Sequence, residues 1–381
     1  MSNEQPTLLS FPQLSKRPFN IVAEAADSLG IDCYVVGGYV RDLFLGRHSK
    51  DIDFVCVGSG SGIAVAEATA GRLGKGARVN VFRTYGTAQV TRGGMELEFV
   101  AARRESYNRD SRNPIVDSGT LDDDISRRDF TINAMAVSVN SATFGRLVDR
   151  FGGIADLDGR IIRTPLDPDI TFSDDPLRMM RAVRFATQLE FDIFPETLKA
   201  ITRNASRIEI ITAERITTEL NKIMASRYPS VGWRLLARTG LLRHIFPELD
   251  AMQGVEVVHG RGHKDNFDHT MLVLDRVAGA SDNIWLRWAA LLHDIAKPVT
   301  KRWIEGTGWT FHNHNFIGAK MVKNIFRRLK QPLGEPMKYT QKIVELHMRP
   351  IALVEDTVTD SAVRRLITDA GPDLDDLMTL C

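Results

Sequence analysis

The chain lacks any apolar run close to the roughly 20 residues that a helix needs to cross a bilayer, so no membrane-spanning segment is expected. It is also poor in cysteine. Three residues in 381, Cys33, Cys56 and Cys381, are too few and too scattered for a disulfide framework or a thiolate metal site, which points to a reducing, cytoplasmic setting. An excess of one charge is missing as well. With 49 basic and 48 acidic side chains the net charge is +1, so any attraction to nucleic acid must rest on local clusters rather than a global field. Such clusters stand at Arg103, Arg104, Arg109 and Arg112, at Arg127 and Arg128, at Arg178, Arg181 and Arg184, and at Arg203 and Arg207. Each reads equally well as a helix face paired with nearby acids. The N-terminal stretch has neither a basic start followed by an apolar block nor an Arg-rich, acid-free character, so no export signal is expected.

At 381 residues, two or three domains are expected. A composition of 43% hydrophobic and 25% charged residues is that of a globular protein. Short β-rich runs punctuated by glycine read as strands: Asp32–Gly38, Asp51–Val57, Ala77–Phe82, Thr87–Thr91, Met95–Ala101 and Ala134–Val139. Ile63–Leu73 reads as a helix between them. From Asp174 onward helical periodicity takes over, in Pro176–Leu189, Ala213–Ala225, Val231–Leu242, Asn283–Lys297 and Ala319–Lys330. The expected fold class is α+β: a small mixed sheet domain over 1–165, an all-helical neck over 166–250 and a second helical domain over 251–381. The loop His259–His269 separates the last two, and the charged stretch Arg103–Ser126, with Pro114 and Gly119, reads as a long mobile loop.

Asp51 and Asp53 stand two apart in a β-rich run, so both carboxylates leave one face of the strand. Like charges held this close are unfavourable unless a cation neutralises them, and oxygen donors suit Mg²⁺. Upstream, the strand runs into Gly37-Gly38 and a helix start, which lets backbone N–H groups approach a phosphate. Either feature alone is common in turns and edge strands; together they point to phosphoryl transfer. A further carboxylate from a neighbouring strand is then expected. Glu98, beside the apolar run that follows it, is the preferred catalytic partner, and Glu96 is the alternative.

Four motifs in series carry a resemblance: Gly37–Gly46 followed by Asp51-Ile52-Asp53, Arg127–Ala136, Asp149–Leu157 and Asp174–Ala186. In order and spacing they are similar to the class II tRNA nucleotidyltransferase and bacterial poly(A) polymerase family, over roughly residues 30–250. The resemblance implies that Asp51 and Asp53 bind Mg²⁺ and that Gly37, Gly38 and Arg41 belong to the nucleotide site. It further implies that Arg127, Arg128, Asp129 and Asn133 hold the triphosphate and tell ribose from deoxyribose, and that Asp175 and Arg178 read the incoming base. Asp174 stands where the family pattern has Glu. The implied reaction is addition of C and A from CTP and ATP to the 3′ end of tRNA, with poly(A), A-only or C-only addition as alternatives. Asp175 and Arg178, three apart in a helical pattern, are expected to share a face. A carboxylate that accepts from an exocyclic amino group and a guanidinium that donates to the ring suit cytosine and adenine, whereas uracil and guanine set a carbonyl against Asp175.

Seven of the nine histidines fall between His259 and His347. His269, the pair His293-Asp294 and the segment Phe311–Asn315 resemble the HD domain, a metal-dependent phosphohydrolase module that many members of the family carry. The expected ligands are His269, His293, Asp294 and one of His312, His314 or His347, with His314 chosen, around Mg²⁺, Mn²⁺ or Ni²⁺. An RNA-related phosphohydrolase is the rival reading of the whole chain. The closing acid of an HD domain is expected at Asp356 or Asp360. Leu377–Cys381 ends the chain inside a helical pattern where family members continue, so a further segment is expected beyond it.

Overall fold

Apolar alternation becomes a sheet in the first half of the computed structural model, which describes residues 12–14, 17–49, 51–106, 115–259, 261–263, 265–353 and 359–381. The strands are β1 (Cys33–Val36), β2 (Asp51–Cys56), β3 (Arg78–Phe82), β4 (Thr87–Arg92), β5 (Met95–Ala101), β6 (Arg103–Ser106), β7 (Ile115–Ser118), β8 (Met135–Ser138) and β9 (Leu147–Asp149). Seven of them form one sheet in the order β3-β4-β5-β2-β1-β8-β9. Only β2 and β5 pair in parallel within it, in a register that sets Asp51 beside Glu96 and Asp53 beside Glu98.

The two faces of the sheet differ. Ile52, Phe54, Leu97 and Phe99 point to the face covered by α1 (Phe19–Leu29) and α3 (Ser61–Leu73), with Phe54 stacked on Phe99 at 5.0 Å and tilted against Phe19 at 5.9 Å. On the opposite face, Val36, Val55 and Ala136 are sealed by Ala102 and by Ile125 of α4 (Leu121–Ser126). Hence β2 changes along this face from exposed Asp51 through half-buried Asp53 to fully buried Val55. The helices α2 (Gly38–Phe44) and α5 (Gly153–Asp158) complete this part.

The expected mobile loop over Arg103–Ser126 is corrected by the fold. Its described parts are the hairpin β6–β7 and α4, while Arg109, Arg112 and Pro114 lie outside the described residues. A capping box explains why α4 starts: Thr120 Oγ1 accepts from the Asp123 N–H, the Asp123 carboxylate accepts from the Thr120 N–H, and three aspartates favour the positive end of the helix. Two of the three cysteines come together in the fold. Cys33 and Cys56 are cross-strand partners with their sulfurs 3.6 Å apart, both free and buried, and burial holds the Cys33 thiol well above its usual range.

Helices follow: α6 (Pro168–Asp174), α7 (Leu177–Leu189), α8 (Pro195–Asn204), α9 (Ala213–Met224), α10 (Pro229–Arg238), α11 (Leu241–Ile245), α12 (Pro247–Asp250), α13 (Asn266–Ala280), α14 (Ile284–Leu292), α15 (Lys297–Thr300), α16 (His314–Arg328), α17 (Glu335–Leu346), α18 (Met348–Ala352), α19 (Asp360–Ala370) and α20 (Leu374–Leu380). Short ladders join Ile161–Ile162 to Asp192–Ile193, Val257–Val258 to Arg261–Gly262, and Arg302–Ile304 to Gly308–Thr310, where the sequence suggests helix or loop alone. The chain divides into two compact units, 1–175 with 192–197, and 176–191 with 198–381. The core of the second unit includes Trp233 edge-on to Phe246 and Trp288, with Trp288 against Phe326. Among the described residues no helix is long and apolar enough to cross a membrane.

Two local expectations change here. Asp175 does not sit on a helix with Arg178: its backbone is extended (φ −136°, ψ 97°) at the end of α6, and Pro176 precedes α7. Proline lacks an N–H and disfavours helical backbone in the residue before it. Arg184 is no exposed RNA-facing cation, because it is buried in an ion pair with Glu219 at 2.6 Å.

Candidate active site and metal centre

The parallel pairing of β2 with β5 gathers four acids on one face, Asp51 and Asp53 beside Glu96 and Glu98. Glu96 is held by the side-chain amide of Gln89 on β4. Burial raises the Asp53 carboxyl above its ordinary range and Asp51 adds to the effect, while Arg128 opposes it. Burial likewise raises Glu98, with Asp53 and Glu96 adding and Arg103 opposing. Charge is therefore crowded where Asp53 and Glu98 meet, and a set of carboxylate oxygens fits a hard divalent cation.

Gly37 closes β1 against this patch. Its backbone is left-handed at φ +71°, and a Cβ there would lie 2.9 Å from Arg128 Nη1 and 3.8 Å from Asp53 Oδ2. Only glycine leaves room for that guanidinium next to that carboxylate. Arg128 is itself positioned by Asp124, which sequence reasoning missed. Asp124 is fully buried and accepts from Arg127 Nη2 at 2.6 Å and from Arg128 Nη2 at 3.0 Å, one arginine on each oxygen. Burial alone would raise its pKa, but the two arginines outweigh that and hold it below the ordinary range. The available signal was the spacing of three and four residues from Asp124 to Arg127 and Arg128.

The next turn holds a second chain of contacts. Arg41 Nη1 donates to Asn133 Oδ1 at 2.9 Å, and Asn133 Nδ2 donates to Asp129 Oδ1 at 3.1 Å. Asp129 also accepts from the Phe130 N–H, and Arg41 is paired with Asp42. Arg41 of the first motif thus meets Asp129 and Asn133 of the second in one buried network. Gly153 packs so tightly that a Cβ would lie 2.5 Å from the Thr131 carbonyl, which ties the third motif to the second.

In the second unit His269 lies on α13, within the helix rather than in a loop, and Asp265 caps that helix by accepting from the Asp268 N–H. His293 and Asp294 follow α14, His314 opens α16 and His347 follows α17. Two triads of donor atoms result, His269-His293-Asp294 and Asp294-His314-His347, each with its atoms within 4.8 Å of one another. Of the three alternatives, His314 and His347 both stand in the second triad, and His312 is exposed and outside both triads. Asp360, exposed at the start of α19, is outside them as well, and Asp356 lies outside the described residues. Burial works against ionisation of Asp294, but His293, His314 and Lys297 outweigh it and hold the carboxyl far below its usual range. Burial and the neighbouring His293 push His347 down to about 3. Imidazoles and a carboxylate fit a borderline divalent ion. Among the described residues, triads of this closeness occur at Asp294 and not at the sheet carboxylates.

Comparison with known proteins places these features. Residues 33–163 match the Poly A polymerase head domain, 190–253 a probable RNA and SrmB-binding site of polymerase A, and 266–369 the HD domain. The chain is 33% identical over 354 residues to an A-adding tRNA nucleotidyltransferase of Deinococcus radiodurans, covering 91% of this chain and 74% of that one. It is 34% identical over 315 residues to a multifunctional CCA protein of Shewanella frigidimarina, covering 78% and 70%. A crystal structure of a tRNA nucleotidyltransferase complexed with a primer tRNA and an incoming ATP analog shares the fold, with a TM-score of 0.68 at 24% identity over 94% of each chain. With its sheet domain, its helical body and its histidine module matched in order, the chain belongs to the class II tRNA nucleotidyltransferase and bacterial poly(A) polymerase family and carries an HD domain.

Proposed function

We propose that the chain builds CCA at the 3′ end of tRNA from CTP and ATP. The observation that carries this reading is the register of β2 with β5, which sets Asp53 beside Glu98 and next to the guanidinium of Arg128. Asp51 and Asp53 hold Mg²⁺, with Glu98 completing the set. Ions held there would lower the pKa of the 3′-hydroxyl and stabilise the departing pyrophosphate. Arg127 and Arg128 take the triphosphate, since a guanidinium matches phosphate oxygens bidentately. Asp129 and Asn133 stand at the sugar. The 3′-oxygen attacks the α-phosphorus, the bond to the pyrophosphate oxygen breaks, and the hydroxyl proton passes to solvent water. Asp175 and Arg178 choose the base.

Transfer RNAs ending before CCA, after C and after CC, each offered CTP or ATP alone, test this. CTP should extend the first two and ATP only the third, and Arg178→Ala should lose that choice of base. Addition of A to the CC end with no use of CTP would replace the proposal by A-addition, the activity in the name of the Deinococcus relative. Long A tracts on unrelated RNA would replace it by poly(A) synthesis.

A second activity is favoured by the convergence of histidines on Asp294. His269, His293, Asp294 and His314 hold a divalent ion that serves hydrolysis of a phosphate ester. Asp53→Ala should abolish 3′-end addition and leave that hydrolysis intact; loss of both would count against a separate centre.

A further inference from the structure

We infer that the sheet unit holds a second nucleotide site, on the face of β2 opposite Asp51 and Asp53, which takes a base against Tyr39 and its phosphate between Arg17 and Arg47. It is separate from the carboxylate patch and does not rest on the reaction assigned there.

The alternation of β2 sets the two faces apart. Asp51 and Asp53 leave one face, and Ile52 between them leaves the other. Helix α2 divides in the same way. Tyr39 and Leu43, four apart, share one side of it, while Arg41 lies on the side turned to Asn133. Between Ile52, the Tyr39 side of α2 and Phe19 at the start of α1 opens a cavity of about 350 Å³. That is within the size range of small-ligand pockets.

Its lining has two parts. Phe19, Leu43, Ile52 and the Tyr39 ring give an apolar wall, in which the Phe19 and Tyr39 rings pack with centroids 5.4 Å apart at 45°. The rest includes Arg17, Arg47 and His48, all exposed. Among the described residues that line the cavity none is acidic, and no described acid pairs with Arg17 or Arg47. Other arginines of the same unit differ: Arg127, Arg128, Arg150 and Arg163 each meet an aspartate. The Tyr39 hydroxyl also lacks a hydrogen-bond partner among the described residues, and burial raises it above its ordinary range.

These two parts ask for two properties in one ligand. Guanidiniums without acids attract an anion, and phosphate oxygens match them bidentately. An aromatic ring on an apolar wall takes a flat ring, and bases stack on such side chains whatever their identity. A bare phosphate would leave the wall uncovered, and an apolar ligand would leave the cations unmatched. A nucleotide satisfies both, and the Tyr39 hydroxyl can donate to or accept from the edge of its base. The same chemistry comes from a free nucleotide or from one nucleotide of an RNA strand. The cavity also borders the catalytic strand, because Ser49 of its lining donates through Oγ to the Asp51 carbonyl at 3.3 Å. An occupied site therefore steadies the segment that leads into Asp51.

The test is photolabelling of the full chain in EDTA, with an azido-adenine analogue of AMP or with a tetra-adenylate RNA carrying the same azido-adenine. The labelled residue is located by peptide mass spectrometry. Saturable labelling at Tyr39 or in the loop beside Arg47 is expected. Labelling by the AMP analogue identifies a free nucleotide as the source, and labelling by the RNA alone identifies a strand; either upholds the site. Arg17→Glu together with Arg47→Glu should cut the labelling about 10-fold or more, the loss of a charge-assisted contact. Labelling confined to the carboxylate face, at Glu98 or Arg128, would overturn the inference. So would an absence of saturable labelling with both probes, or labelling that the double variant retains. The position of the label in the parent chain decides the matter even if the variant fails to fold.

Discussion

Replacing Asp124 by asparagine removes one charge from beneath Arg127 and Arg128 and leaves both guanidiniums facing an amide. Breaking a buried ion pair at one partner destabilises by about 3–5 kcal/mol. The arginine side chains here are 20% and 17% exposed against 0% for Asp124, so water takes up part of the lost contact. About 2–3 kcal/mol is therefore expected. For a unit of this size that lowers the melting temperature by about 4–12 °C. Calorimetry measures it, and the transition belonging to the sheet unit is the one that CTP with Mg²⁺ raises. The same change frees Arg128 from its place beside Asp53, so kcat/KM for CTP should fall about 10–100-fold, the equivalent of one charge-assisted contact. Acid supplies an internal control. The folded-state pKa of Asp124 is depressed, so its contribution is present above the unfolded value, about 4, and disappears as pH falls through the folded value. The gap between wild type and variant should be full at neutral pH and close in acid. A gap that does not narrow in acid, or a neutral-pH shift below about 2 °C with unchanged kinetics, would refute the role of Asp124 as the organiser of the two arginines.

Asp53→Asn should abolish nucleotide addition yet leave the melting temperature equal or higher. The raised folded pKa of Asp53 means that its charge opposes folding at neutral pH, an effect that begins as pH rises past the unfolded value, about 4, and is complete above the folded value; a clear fall in melting temperature would contradict this. Gly37→Ala should destabilise by about 1–3 kcal/mol through its left-handed backbone and displace Arg128, raising KM for nucleotide in a primer-extension assay. Glu219→Gln should lower the melting transition of the helical unit by leaving Arg184 buried with a neutral partner, while retention of tRNA binding in a filter assay at a permissive temperature would mark Arg184 as structural.

The strands β1 to β5 and β8 and the helices α3, α7, α9, α10, α14 and α16 were legible because they depend on local periodicity. So was the common face of Asp51 and Asp53, which follows from a two-residue repeat on any strand. The break at Asp175 was legible in principle, since Pro176 announces it, but the helical pattern on either side masked the signal. Other features depend on partners that are remote in sequence. Cys33 and Cys56 became neighbours through the pairing of β1 with β2. His314 and His347 became neighbours through the packing of α16 against α17, which no histidine spacing reveals.

The sequence by itself determined the chemistry on offer: a pair of carboxylates on one strand face, arginines suited to phosphate, and an imidazole-rich module. Those follow from residue identity and from backbone repeats only a few residues long. Tertiary structure alone decided which groups act together. It placed Glu98 beside Asp53 through a parallel pairing across more than forty residues, set Asp124 beneath both arginines, and turned the two oxygens of Asp294 toward different histidines. The reason is that a carboxylate's pKa and its use depend on distance and burial, and both are properties of packed elements rather than of neighbours along the chain.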